Sequence, residues 1–230
     1  MRYIYCHPLF DERKCAHRFS FQLKTEFQAA DLTLERFDYY GTGEAGGDFS
    51  EISLQSLQED IAAEVADDRV CLIGLRLGAS VVFDYCVHNS GQVEKLILLQ
   101  PVVNGADYID YLYRKQHIKD MMTDRAITKL EDKGYRNIEG YKTSVNFIEQ
   151  IKKLDLLELV KGYKANNSIY VVQISNRSTI DPRISCLRKS LQNLTSKFCL
   201  ENIVLPTFWE RIPSVDYAKL TEKILGWCCD

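Results

Sequence analysis

The chain has 230 residues, of which 46% are hydrophobic and 27% charged, and it carries a net charge of −3 at neutral pH. That length suits one α/β-type domain with a sizeable core, and the balance is ordinary for a soluble globular chain. The slight acidic excess argues against a general nucleic-acid surface, and no apolar run is long enough to span a bilayer as a helix.

Met1-Arg-Tyr-Ile-Tyr-Cys reads directly as a first strand rather than as a secretory leader. Eight cysteines are present, including the vicinal pair Cys228-Cys229, but they follow no small disulfide scaffold. Several lie in apolar stretches, so most are expected to be buried free thiols in a reducing cytoplasm. With no Cys-x-x-Cys pair and four scattered histidines, neither a metal site nor a cofactor is expected.

Arg2 to Cys6 is short and aromatic-rich, as a strand would be, and Pro8 ends it because proline cannot continue a central ladder. From Asp11 to Ala29 the residues Phe19, Leu23 and Phe27 recur at four-residue spacing, which predicts a helix. Leu32 to Tyr39 is read as the second strand, followed by the glycine-rich loop Gly41 to Asp48. A helix is predicted from Ser50 to about Asp68, with Leu54, Leu57, Ile61 and Val65 on its apolar face. An apolar run from Val70 meets Gly74-Leu75-Arg76-Leu77-Gly78, and a small-residue helix follows to about Asn89. Leu96 to Val103 is nearly continuous in apolar residues, as a strand buried on both faces requires.

Between Asn104 and Asn167 no strand signal stands out. The segment is charged, Tyr-rich and helical in rhythm (Tyr108, Ile109, Tyr111, Leu112, Ile118, Met121, Met122). Ser168 to Ile174 is the next strand. A helix from about Ile184 to Ser196, a strand from Leu200 to Leu205 and a helix from about Val215 to Trp227 complete the chain. Alternating strands and helices give an α/β, doubly wound, mostly parallel sheet. Residues 1–103 and 168–230 form its core. Residues 104–167 are expected to be a helical cap insertion, since long insertions at the carboxyl edge of such sheets often cover a ligand crevice; an oligomer contact is the rival reading.

Gly74-Leu75-Arg76-Leu77-Gly78 has the form of a strand, a tight turn and a helix. In the Gly-x-Ser-x-Gly nucleophile elbow the central residue is an exposed serine; here it is Arg76. The surrounding motifs carry a resemblance to the α/β-hydrolase superfamily. They are His7-Pro8-Leu9-Phe10-Asp11-Glu12 at the oxyanion loop and Phe37-Asp38-Tyr39-Tyr40-Gly41-Thr42-Gly43-Glu44 in place of an Asp-x-x-Gly-x-Gly-x-Ser loop. The helix with Leu57-Gln58-Glu59-Asp60, the elbow itself, Leu98 to Gly105, Glu139-Gly140-Tyr141 and Pro206-Thr207-Phe208-Trp209 follow in order. Within the superfamily the chain resembles the hydrolase-like proteins associated with bacterial exosortase (PEP-CTERM) systems, related to the serine aminopeptidase-like group. That resemblance implies that arginine in the elbow is shared by some members.

Acyl transfer on such a fold needs a nucleophile, a histidine base, an orienting acid and an oxyanion hole. Arg76 stays protonated and cannot attack. Ser80, the nearest hydroxyl, lies a helical turn further on and reads as a packing residue. The superfamily's histidine follows the last strand, but Leu205 to Pro213 holds none. His7 falls at the oxyanion loop, His88 at a helix end, and His17 and His117 elsewhere. Asn176 and Asp181 are the acid candidates, and Asp181 before Pro182 also reads as a turn residue. The backbone N–H groups of Leu77 and Leu9 would make the oxyanion hole. A Cys6–His7 dyad is disfavoured, because neighbours on a strand face opposite ways.

A fork of guanidinium N–H donors at a helix N-terminus suits carboxylate or phosphate. Arg76 is therefore read either as a clamp for a small anionic, acyl or peptidyl ligand, or as half of an ion pair with Glu210, Asp38 or Glu44. The binding candidates are Arg76, Leu77, His7, Leu9, Phe208 and Trp209. Three functions follow. The first is a pseudohydrolase that binds such a ligand or a protein partner. The second is a hydrolase or tailoring enzyme with relocated chemistry, using Arg76 with Glu210, Glu44 or Asp181. The third is an interaction module that uses the Tyr-rich cap and an exposed Phe208-Trp209 pair. No nucleic acid, membrane span or cofactor enters any of them.

Overall fold

The computed structural model describes residues 1–89, 91–122, 134–164, 167–195, 197–211 and 215–229. Its first elements are β1 (Arg2–Cys6), α1 (Phe10–Ala29), β2 (Leu34–Arg36), α2 (Leu54–Val65), β3 (Val70–Leu75), α3 (Leu77–His88) and β4 (Val93–Leu99). Then come α4 (Gly105–Met122), β5 (Tyr135–Ile138), β6 (Tyr141–Ser144), α5 (Val145–Lys153) and the short α6 (Leu156–Leu159). Strand β7 (Ser168–Ser175), α7 (Pro182–Leu191), β8 (Phe198–Val204) and α8 (Ala218–Cys229) end the chain. The elements divide between two compact units.

The first unit comprises Met1–Phe37, Ile61–Val103 and Leu156–Asp230. Its six strands run in the order β2-β1-β3-β4-β7-β8, every pairing parallel. Strand β3 sits near the centre and is buried at all six residues, which is why its sequence is apolar without alternation. One face of the sheet carries Tyr3, Tyr5, Ile73, Leu75, Ile97, Leu99, Val172 and Ile174. They pack with Phe19, Leu23 and Phe27 of α1 and with Leu220, Ile224 and Trp227 of α8. The intervening residues, among them Ile4, Leu72, Leu96 and Leu98, are equally buried and point to the opposite face by the two-residue period of a strand. The α/β, doubly wound, parallel reading is thus observed.

The second unit comprises Asp38–Asp60 and Asn104–Asp155. Asn104 donates from its side chain to Asp155 at 2.9 Å. Gly105 lets α4 start against α5, since a Cβ there would stand 1.7 Å from the Ile151 carbonyl oxygen. Ser144 caps α5 by accepting from the Phe147 N–H. Tyr40 donates its backbone N–H to Asp60 at 2.8 Å, and Glu139 pairs with Lys115 while almost fully buried.

The β5–β6 hairpin corrects the reading that 104–167 lacks strands. Its turn, Glu139-Gly140, has φ of 53° and 95°, the two positive values of a type I′ hairpin. Its strands escaped notice because Ile138 and Thr143 alone are buried, so no apolar alternation is written in the sequence. Helix α2 also begins later than Ser50. Residues Phe49–Glu51 form a 3-10 turn, and Ser53 and Ser56 exchange backbone N–H to Oγ bonds at 3.0 Å where the helix starts, as in a capping box. The expected helix end at Ser196, and parts of the expected cap (123–133 and 165–166), lie outside the described residues. Cys6, Cys71, Cys86 and Cys228 are buried and outside any disulfide, whereas Cys186 and Cys229 are exposed. Among the described residues no helix is long and apolar enough to cross a membrane.

Candidate functional site

Strand β3 delivers the chain to the carboxyl edge of the sheet, and α3 starts immediately. The single residue between them, Arg76, has φ 55° and ψ −124°. A side chain in that region costs about 1–3 kcal/mol and persists only where the surroundings enforce it. Here they do. The Arg76 N–H donates to the Leu99 carbonyl at the end of β4 at 3.0 Å, and the Arg76 carbonyl accepts from Ala79 N–H at 3.0 Å. A Cβ on Gly74 would lie 2.4 Å from Ala79 Cα, and one on Gly78 would lie 2.3 Å from the His7 carbonyl oxygen. Both glycines are thus set by close backbone approach, the first to α3 and the second to the loop after β1. This is the backbone of a nucleophile elbow.

What stands on that backbone is an ion pair. Arg76 Nε and Nη2 both donate to Glu12 Oε1 at 3.1 Å, and Nη1 reaches the Gln100 carbonyl oxygen at 3.4 Å. The Arg76 guanidinium carbon lies 5.2 Å from the centre of the Trp209 ring, within range of a cation–π contact. Glu12 is 0% exposed and the Arg76 side chain 13%. Charges so far from water are retained only when paired and hydrogen-bonded.

Glu12 was not among the partners weighed for Arg76. The sequence signal was present, though. Extending the apolar stripe of α1 back from Phe19, Leu23 and Phe27 reaches Ala16 and Glu12, all buried. A carboxylate on that stripe needs a cation in the sheet beneath it.

Gln100 shares in the construction. It too has positive φ, 41°; its N–H donates to the Val172 carbonyl and its Oε1 accepts from Ile174 N–H. Phe10, at φ 56°, is a third such residue. The three follow β1, β3 and β4 on the same edge of the sheet, and backbone strain of this kind concentrates at functional sites.

The other candidates take structural positions. Ser80 is buried and donates its hydroxyl to the Val102 carbonyl at 2.8 Å, so it is the packing residue expected. Asp181 caps α7, accepting the Arg183 N–H at 2.8 Å, with Pro182 at the first helical turn. Gln173, buried on β7, accepts the Asp181 N–H and donates to the Thr179 carbonyl. Asn202 donates to the carbonyls of Arg177 and Ser178, so the loop after β7 is tied down along its length. Glu210 accepts from the Thr207 hydroxyl at 2.8 Å.

Leu9 is the N-cap residue of α1 and Leu77 the first residue of α3, where a backbone N–H has no partner within its own helix. Both side chains are buried. His7 is 5% exposed, with its ring edge-on to Tyr5 at 4.9 Å. His88, in the last turn of α3, sits with Nδ1 3.1 Å from the Asp84 carbonyl oxygen.

One expectation is overturned. Phe208 and Trp209 are not an exposed pair: they are 0% and 2% exposed. Phe208 packs on Phe19 and Tyr217 with ring centroids 4.9 and 5.1 Å apart. Two adjacent aromatics in a loop look like surface in sequence, but this loop folds onto the sheet face that α1 and α8 cover.

No family model matches the sequence, and no curated protein matches it. Solved structures do. Est1E from Butyrivibrio proteoclasticus, determined with ferulic acid bound, is 14% identical, with a TM-score of 0.66 over 99% of this chain and 87% of its own. An esterase from Pyrococcus furiosus gives 12% and 0.64 over 97% and 79%. The enol-lactonase from Burkholderia xenovorans LB400 gives 13% and 0.59 over 100% and 92%. The chain has the α/β-hydrolase fold.

Two substitutions separate the architecture from the chemistry. Gly78→Ala pushes a methyl group into the His7 carbonyl and is expected to cost about 1–3 kcal/mol, read as a lowered urea midpoint. Asp181→Ala removes a helix cap and is expected to cost about 1 kcal/mol, measured in the same denaturation series.

Proposed function

We propose that this protein is a hydrolase-fold member without serine–histidine chemistry, which acts by binding an acyl or peptidyl ligand or a protein partner. The observation that carries the reading is Arg76 at the elbow tip, hydrogen-bonded to the buried carboxylate of Glu12. An arginine is no nucleophile, and the four histidines, His7, His17, His88 and His117, all precede β7. A base supplied after the last strand is therefore missing from the sequence itself. Trp209 comes from that loop instead, and its ring lies against the guanidinium.

The ligand class follows from the company the fold keeps. Its structural neighbours include Est1E with ferulic acid bound, an esterase and an enol-lactonase, names that point to acids, esters and lactones as the ligand class. The strained residues Phe10, Arg76 and Gln100 support a binding role for the same edge of the sheet, where α/β folds take their ligands. Within this reading Arg76 primarily holds the elbow, because Glu12 supplies the opposite charge; a ligand carboxylate would have to compete with it. The elbow arginine also supports placing the chain among the exosortase-associated hydrolase-like proteins of the bacterial cytoplasm.

Labelling with a fluorophosphonate probe and turnover of p-nitrophenyl acetate and butyrate test the proposal. The expected result is no label and no turnover above buffer for the wild type. Arg76→Ser is expected to remain equally silent, since a restored hydroxyl still has no base. Stoichiometric labelling of the wild-type chain, or ester hydrolysis that Arg76→Leu abolishes, would refute the reading.

A further inference from the structure

Three residues stand side by side across the middle of the sheet. Tyr3 on β1, Cys71 on β3 and Lys95 on β4 are partners in register, so their side chains rise from one face. That face is the one α8 covers. The two outer residues converge on a single atom of that helix. The Cys228 carbonyl oxygen accepts from the Tyr3 hydroxyl at 3.1 Å and from Lys95 Nζ at 3.3 Å. Lys95 also donates to the Trp227 carbonyl at 2.9 Å. The residue between them, Cys71, meets Cys228 itself: the two thiols share a hydrogen bond. They are 0% and 3% exposed, and the next residue, Cys229, lies in solvent.

A buried cysteine by itself packs as a small hydrophobe. Two thiols in contact can do more, because a disulfide forms only between sulfur atoms that the backbone already brings together. Here three hydrogen bonds to the last turn of α8 keep Cys228 over Cys71. Burial holds the Cys71 thiol protonated, with the Lys95 ammonium pulling more weakly the other way. Cys71 is thus the poorer first nucleophile. Cys228, beside an exposed residue at the end of α8, is the sulfur that a small oxidant meets first.

We propose that Cys71 and Cys228 form an oxidisable dithiol, which a hydroperoxide converts into a disulfide. The Cys228 sulfur attacks one oxygen of hydrogen peroxide. The O–O bond breaks, the thiol proton leaves with the other oxygen as water, and a sulfenic acid remains. The Cys71 sulfur then displaces that hydroxyl, which takes the Cys71 proton and leaves as a second water. The two thiols have lost two electrons and two protons, and the peroxide has become two waters. The product ties α8 to the central strand β3. The dithiol is independent of the elbow and of whether the protein turns over esters.

The test treats reduced, desalted protein with millimolar hydrogen peroxide, alkylates the remaining thiols and maps tryptic peptides without reductant. The expected result is a cross-link between residues 70–76 and 224–230 that dithiothreitol reverses, with Tm raised by about 5 °C or more in the oxidised form. Cys229→Ser is expected to keep the cross-link, which assigns it to Cys228. Cys71→Ala and Cys228→Ala are expected to lose both the cross-link and the oxidant-dependent rise in Tm. Three results would each overturn the assignment. They are oxidation that stops at sulfenic or sulfinic acid with no cross-link, a cross-link lost in Cys229→Ser, and a cross-link that forms only in urea.

Discussion

A guanidinium taken out of water must be met by a carboxylate where it lies. In this protein that single requirement ties together the turn after β3, the first turns of α1, the end of β4 and the loop after β8. Arg76 bonds to Glu12 and Gln100 and lies against Trp209. Each of those contacts comes from a different segment of the first unit. The pair is thus a joint at the carboxyl edge of the sheet rather than a decoration of one loop. Removing either charge alone leaves the other buried, which is costlier than removing both.

The backbone beneath the pair has the geometry of a nucleophile elbow. Positive φ at Arg76, two glycines with no room for a Cβ, and a helix starting at the next residue are the means by which a hydrolase presents its nucleophile. The strain brings no chemical return when the presented side chain cannot attack. It does hold a long cationic side chain at the N-terminal end of a helix, a place that itself favours negative charge. Glu12 supplies that charge from the neighbouring helix, so one carboxylate answers both the arginine and the local field.

The sheet and its helices were legible because burial on both faces writes continuous apolar runs, as in Val70–Leu75. The elbow was legible because glycine spacing records backbone approach. Less local facts were not. Glu12 looked like one more charge near a helix start until the stripe through Ala16 and Phe19 was followed back to it. The burial of Phe208 and Trp209 depends on where their loop folds, which adjacent aromatic letters do not encode. The β5–β6 hairpin has almost no buried alternation to read. Asp181 was weighed as a turn residue and as a catalytic acid, and its place as a helix cap fits the local Asp-Pro signal.

The central claim is that Glu12 and Arg76 stabilise the elbow as a pair. A double-mutant cycle in urea denaturation, with Glu12→Leu, Arg76→Leu and the combined variant, measures this directly. Each single variant is expected to lose about 3 kcal/mol or more, because a buried charge is left alone. The double variant is expected to lose less than the sum, with a coupling energy of about 2 kcal/mol. Single losses below about 0.5 kcal/mol, adding without coupling in the double variant, would contradict the account.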